Sequence, residues 1–384
     1  MASPTVEVAI KNSCSKVGEG PHWDDTTQSL LYVDVIAHDV HRWNSVTGED
    51  TKVHLKDTVG HVIPRRRGGY MVGLGRKLSL LEWETGTVTD IAEVDQETRN
   101  RVNDAKCDAK GRLWTGTMGA EVKPGVFEPA VGSLYSLDLD HTVKKWVSGI
   151  DLSNGFAWTE DNQTMFYIDS IPKKVYAFDY DLENGAISNQ RTAVDLTSFD
   201  FDTDTYSVPD GMTIDTEGKL WVACFGAGAV FKFDPETGKT LQCVKIPAKQ
   251  TTSVCWGGKN LDELYVTCGR LVKPEEYYLK EEPLAGSVFR VTGLGAKGRP
   301  ANVFEDWDTG RIYNTETAVT DFNDVCLDVG VDGLEGKALT TYIVQSIQCD
   351  DSNVESRAKK QADGLQTAKK AEADRIAKKE EDDR

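Results

Sequence analysis

Six polar residues recur along this chain in step with a short apolar triplet. Glu19, His61, Asn103, Asn154, Asp210 and Ser253 stand 12, 9, 10, 12, 10 and 11 residues ahead of the triplet that follows each. Most of them carry a carboxylate or amide oxygen. Oxygen donors suit Ca²⁺, Mg²⁺ and Mn²⁺, and Zn²⁺ also accepts carboxylates. Gathered at one point, Glu19, Asn154 and Asp210 would make a three-ligand site with open positions, as metal-assisted hydrolysis requires. Turn chemistry accounts for the same residues, because Asn154-Gly155 and Asp210-Gly211 are turn dipeptides. Glu19 has a context of its own: in Gly18-Glu19-Gly20-Pro21 the flanking glycines let backbone approach a ligand closely. His61 is the single imidazole in the series, and a lone histidine reads as structural, so it stays outside the ligand set.

Residues so far apart in sequence meet only if the fold repeats. The triplets are Leu31-Tyr32-Val33, Tyr70-Met71-Val72, Leu113-Trp114-Thr115, Phe166-Tyr167-Ile168, Leu220-Trp221-Val222 and Leu264-Tyr265-Val266, spaced 39, 43, 53, 54 and 44 residues apart. Each follows a turn rich in Gly, Asp or Asn, such as DAKGR or DTEGK, and precedes a further strand such as VYAFDY or AVFKFD. Four short strands per unit at this period predict an all-β fold, a six-bladed β-propeller with four-stranded blades. The lone first strand Thr5 to Ile10 is expected to join the last unit, which ends in GSVFRVTG, and so close the ring. A pair of β-sandwiches explains neither the spacing nor that strand.

Among the 384 residues, 62 Asp and Glu outnumber 44 Lys and Arg, for a formal charge of −18. Such a field repels phosphate backbones and anionic bilayers and concentrates cations, so nucleic acid and membrane are not expected as partners whereas a divalent metal is. No run reaches the roughly 18 apolar residues that spanning a bilayer needs. The opening MASPTVEVAIKNSCSK lacks the basic and apolar regions of a signal peptide, so the expected address is cytoplasmic. The scattered cysteines, without a C-x-x-C pair, read as reduced, packed thiols. No G-x-S-x-G elbow supports a serine hydrolase.

Around the repeat positions stand GEGPHWDD at 18–25, NRVNDAKCDAKGRLWTGTMG at 100–119, DLSNGFAW at 151–158, FYIDS at 166–170, VPDGMTIDTEGKLWVACF at 208–225 and GGKNLDELYVTCGR at 257–270. With these motifs the chain resembles the regucalcin (senescence marker protein), gluconolactonase and luciferin-regenerating enzyme family over roughly residues 6–298, nearest the regucalcin branch. The resemblance implies metal ligation by Glu19, Asn154 and Asp210, and substrate contacts from Arg101, Asn103 and Glu121. It implies hydrolysis of a sugar (aldono-) lactone such as gluconolactone, one divalent ion (Ca²⁺, Zn²⁺, Mn²⁺ or Mg²⁺) acting as Lewis acid and Asp210 as general base. Two other readings share the triad: a calcium-binding regulatory protein of the regucalcin type without turnover, and a related hydrolase acting on a luciferin-type nitrile or an organophosphate.

Other motifs fail. Gly293, Gly295 and Gly298 fit G-x-G-x-x-G, but Pro300 stands where a helix should begin. The stretches from Asp200 and from Asp328 start like EF-hand loops and lack the closing glutamate. The expected organisation is a catalytic propeller over 1–299, an acidic extension over 300–350, and a charged, helical or disordered tail over 351–384, in a monomer. The acidic, aromatic insertion from Phe199 to Tyr206 reads as a surface loop, with a pocket lid as the other reading.

Overall fold

A computed structural model describes residues 3–306, apart from 124, 202–205 and 272. Expectations for 307–384 and for the middle of the 199–206 insertion lie outside the described residues. Six antiparallel, four-stranded sheets follow one another along the chain as the blades of a propeller. Their inner strands are Gly18–Asp24, Val59–Pro64, Arg101–Cys107, Ser153–Trp158, Val208–Ile214 and Thr251–Gly257. Each apolar triplet lies in the second strand of its blade, as in Ser29–Asp34, Thr164–Asp169 and Leu220–Phe225.

The triplets are apolar throughout because both faces of a blade are buried. Successive side chains of a strand point to opposite faces. Leu220 and Val222 pack toward the fourth blade with Phe166 and Ile168, while Trp221 between them packs toward the sixth with Trp256 and Phe289. Leu31 and Val33 likewise face the second blade, and Tyr32 faces the sixth. The hydrophobic core is thus divided into six clusters, one in each seam between adjacent blades. Outer strands such as Asp50–His54 and Ala186–Asp195 are largely exposed and polar, which suits sheet edges that must not pair with other chains.

The ring closes as the sequence predicts. Thr5–Ile10 runs antiparallel to Val288–Thr292, with Thr5 opposite Thr292 and Val8 opposite Phe289. The sixth blade therefore takes three strands from the end of the ring and one from its beginning, and Glu7 meets Arg290 at 2.7 Å across that junction.

Two elements interrupt the plain repeat. A hairpin, Glu121–Lys123 with Val126–Phe127, is inserted in the third blade. A short helix, Glu275–Glu281, is inserted in the sixth; two glutamates in its first turn and Lys280 in its last suit the helix dipole. The chain also continues on the propeller past residue 299. Phe304 is fully buried in the seam between the second and third blades, and Arg65 pairs with Asp306 at 2.9 Å. Among the described residues no helix is long and apolar enough to cross a membrane.

Deleting residues 1–10 removes the closing strand and leaves the edge of Val288–Thr292 open. The expected outcome in calorimetry and light scattering is an apparent Tm lower by roughly 5–10 °C, with aggregation on heating.

Candidate active site

In every blade the first two strands slip out of register at the same place. The shifts fall between Glu19 and His22, Val59 and Val62, Val102 and Ala105, Ser153 and Phe156, Pro209 and Met212, and Thr251 and Val254. An irregularity of this kind bends a strand and re-aims its side chains. The recurring polar residues sit at or inside these shifts, which corrects the turn reading of Asn154-Gly155 and Asp210-Gly211: both pairs lie within inner strands. The glycines answer to packing. A Cβ on Gly155 would stand 2.5 Å from Met212 Cβ and 2.6 Å from its backbone nitrogen, on the inner strand of the next blade.

Glu19, Arg101, Asn103, Glu121, Asn154 and Asp210 all line one cavity of about 850 Å³. Four inner strands supply five of them, and the inserted hairpin supplies Glu121. His61 and Ser253 lie outside the lining. His61 is buried and donates from Nδ1 to the Asn103 carbonyl at 3.0 Å; burial pushes its pKa down to about 4, so it stays neutral. Its role is to hold Asn103, in keeping with the structural reading.

A hydrogen-bonded chain crosses the floor of the cavity. Arg101 Nη1 donates to Asn103 Oδ1 at 2.8 Å, Asn103 Nδ2 donates to Asn154 Oδ1 at 3.0 Å and to the Ser153 carbonyl at 2.8 Å, and Asn154 Nδ2 donates to Ser170 Oγ at 2.8 Å. Each amide is oriented by this relay. Glu121, on the exposed hairpin, accepts the Gly125 amide at 2.7 Å.

The carboxylates are the strained part of the site. Burial, reinforced by the charge of Asp104, pushes Glu19 up to about 8. Burial also raises Asp210 well above the usual carboxylate range, with Glu19 and Asp104 adding to the effect. Asp104 itself rises to about 6 through burial, opposed by Lys106. The Glu19 and Asp210 carboxyl groups lie within hydrogen-bonding reach of each other. Arg101, pushed down to about 10 by burial, remains charged and directs its close hydrogen bonds to Asn103 and the Val102 carbonyl.

Among the described residues, no group of three or more His, Cys, Asp or Glu side chains is placed to hold a metal ion. The donor set that fits is mixed, with the carboxylates of Glu19 and Asp210 and the amide oxygen of Asn154. Two buried carboxyl groups with raised proton affinity suit a divalent cation in charge, since its field favours both as carboxylates.

Sequence reasoning missed Asp104. The repeat arithmetic took one residue per blade, and this carboxylate stands beside Asn103 in the quoted R-V-N-D run; two polar side chains at one register shift were the available signal. Lys106, two residues further on, is half-buried and donates to the Met212 carbonyl at 2.8 Å, joining the third blade to the fifth.

A six-bladed propeller with a carboxylate and amide pocket where its inner strands meet defines a class of propeller proteins with a central polar cavity. The chain belongs to the SMP-30/gluconolactonase/LRE-like family, whose profile matches residues 17–270. It is 44% identical to regucalcin of Bos taurus over 301 residues, 78% of this chain and 98% of that protein. A solved luciferin-regenerating enzyme superposes with a TM-score of 0.71 at 37% identity, covering 79% of this chain and 100% of the other. A calcium-binding protein, regucalcin, from Agrobacterium tumefaciens shares the fold, with a TM-score of 0.71 at 24% identity over 78% of this chain and 97% of its own. Family membership supports a lactone-hydrolase or regucalcin-type function in general terms.

Gly155→Ala tests the packing that sets Asn154 beside Asp210. The expected cost is about 1–3 kcal/mol, read as a lower urea midpoint with an unchanged m-value.

Proposed function

We propose that this chain hydrolyses a sugar lactone of the aldono-lactone type in the central cavity, with one divalent ion. The observation that carries the reading is the convergence of Glu19, Arg101, Asn103, Glu121, Asn154 and Asp210 on one cavity, their amides already oriented by the relay from Arg101 to Ser170. Glu19, Asn154 and Asp210 would hold Ca²⁺, Zn²⁺, Mn²⁺ or Mg²⁺, the choice being set by availability. When bound, the ion supplies Lewis-acid polarisation of the lactone carbonyl.

The remaining work belongs to side chains. Arg101 donates to ring hydroxyls, and Asn103 Oδ1, whose amide nitrogen is already engaged, and Glu121 accept from them, fixing the ring as a polyol requires. Asp210 takes a proton from the attacking water as its oxygen adds to the carbonyl carbon. It returns that proton to the ring oxygen as the C–O bond breaks, leaving a hydroxy acid. Five buried free thiols, Cys14, Cys107, Cys224, Cys255 and Cys268, suit a reducing compartment such as the cytoplasm, and a monomer suffices because one chain supplies every group. A second reading, regucalcin-type calcium binding without turnover, draws on the 44% identity over nearly the whole of the bovine relative.

Chelator-stripped protein is expected to open D-glucono-δ-lactone only after a divalent ion is restored, and Asp210→Asn to lower kcat at least about 100-fold. Metal binding seen by calorimetry without turnover under any ion would replace the hydrolase with the binding protein. In the same calorimeter, Asp104→Asn is expected to weaken divalent-ion binding by about tenfold, because the carboxylate that acts on both Glu19 and Asp210 is lost.

A further inference from the structure

The cavity is larger and greasier than an aldono-lactone needs. With about 850 Å³ it is of the size that encloses a drug-sized ligand, whereas a bare six-carbon lactone has only about a dozen non-hydrogen atoms. The polar groups gather at its floor, on the inner strands. Its upper wall is apolar: Ile36, Phe127, Ile171, Tyr206, Phe225 and Leu271 all line it.

That wall is repeated by the fold. Ile36 and Ile171 each stand two residues beyond the second strand of their blade, Ser29–Asp34 and Thr164–Asp169, and Phe225 ends the second strand of the fifth. The same blade end that opens onto the cavity therefore presents an apolar side chain from several blades. Three of these side chains are also exposed, Ile36 and Ile171 at 42% and Tyr206 at 65%. Large apolar side chains left in water around a concave site mark a surface meant to be covered by a ligand.

Charge at the rim argues in the same direction. On the side of the second blade the lining includes Arg76, Lys77 and Arg99. Each is paired with a carboxylate: Arg76 with Glu93 at 3.1 Å, Lys77 with Asp90 at 2.5 Å and Arg99 with Glu128 at 3.2 Å. A phosphorylated sugar would have to break one of these pairs to gain any of the three, leaving Lys56 as the other cation at the rim. On the opposite side, the Lys173 ammonium sits 4.9 Å from the Tyr206 ring centroid, holding that ring in place by a cation–π contact.

We propose that the preferred substrate is a lactone carrying an apolar alkyl or aryl substituent, its ring carbonyl at the polar floor and its substituent laid along the wall of Ile36, Ile171, Tyr206 and Phe225. The proposal rests on the lactonase reading and goes beyond it in naming what the other half of the cavity binds. Each methylene buried on that wall is worth about 0.8 kcal/mol, a three- to fourfold gain in kcat/KM per carbon over the first few carbons.

The test compares D-glucono-δ-lactone with a series of γ-lactones of increasing alkyl length, using the full chain and the divalent ion that restores most turnover. The expected result is a kcat/KM that climbs with chain length and overtakes the short members by at least tenfold. Ile171→Ser and Tyr206→Ala, both at exposed positions, are each expected to lower the ratio of long-chain to gluconolactone kcat/KM by about fivefold or more. Turnover of gluconolactone with no dependence on alkyl length would overturn the apolar-substituent proposal and leave the lactonase reading standing. Failure to open any lactone with any ion would overturn both. A rising series whose ratio neither variant moves would overturn the assignment to this wall.

Discussion

Everything at the centre of this molecule depends on how closely neighbouring inner strands approach. They meet at the register shifts, where a side chain on one strand would collide with the backbone of the next. A Cβ on Gly60 would lie 2.6 Å from the Asn103 carbonyl oxygen, one on Gly155 2.6 Å from the Met212 nitrogen, and one on Gly211 2.7 Å from the Ser253 Cα. Glycine at these points lets the blades close up; beside Gly155 and Gly211 the polar residue, Asn154 or Asp210, lines the central cavity, whereas His61 beside Gly60 stays outside it. The site geometry is thus fixed by backbone contact between blades, the least compliant part of the structure.

That rigidity has an electrostatic counterpart. Glu19, Asp104 and Asp210 are brought together in a buried setting, where burial raises the proton affinity of all three and repulsion between carboxylates adds to it at Glu19 and Asp210. Uncompensated, such a group of charges would cost several kcal/mol. The seams of aliphatic and aromatic side chains between blades offset that cost, since they contribute stability without touching the cavity. The division of labour follows the strand order: inner strands carry the charges, second and third strands carry most of the packing, and fourth strands face water.

The sequence made the architecture legible because a propeller repeats its signal. The triplet Leu220-Trp221-Val222 is readable as a doubly buried strand from its apolar run alone, and Thr5 to Ile10 as a closing strand from its lack of a unit. Glu19, Asn154 and Asp210 were legible by the same periodicity, which also selected His61 and Ser253 although neither lines the cavity. Periodicity reports backbone position, not which way the neighbouring blade turns a side chain. Asp104 was hidden for the converse reason, since it shares its register shift with Asn103. The apolar wall was illegible because Ile36 and Ile171 sit in loops, where an isolated apolar residue carries no pattern. The helix Glu275–Glu281 was too short to show a helical period.

The closing strand has a consequence in time. The ion pair from Glu7 to Arg290 joins residues 283 apart, and closing a loop of that length costs about 5 kcal/mol of chain entropy beyond a constant. At ordinary translation rates of 5–20 residues per second, the first strand leaves the ribosome roughly 15–60 s before its partner exists. Throughout that interval the nascent chain holds a single unpaired strand, TVEVAI, at one end and unfinished blades behind it. The alternation of Val6 and Val8 with Glu7 then matters before any native contact has formed, because a charge between two valines discourages that strand from pairing with another nascent chain.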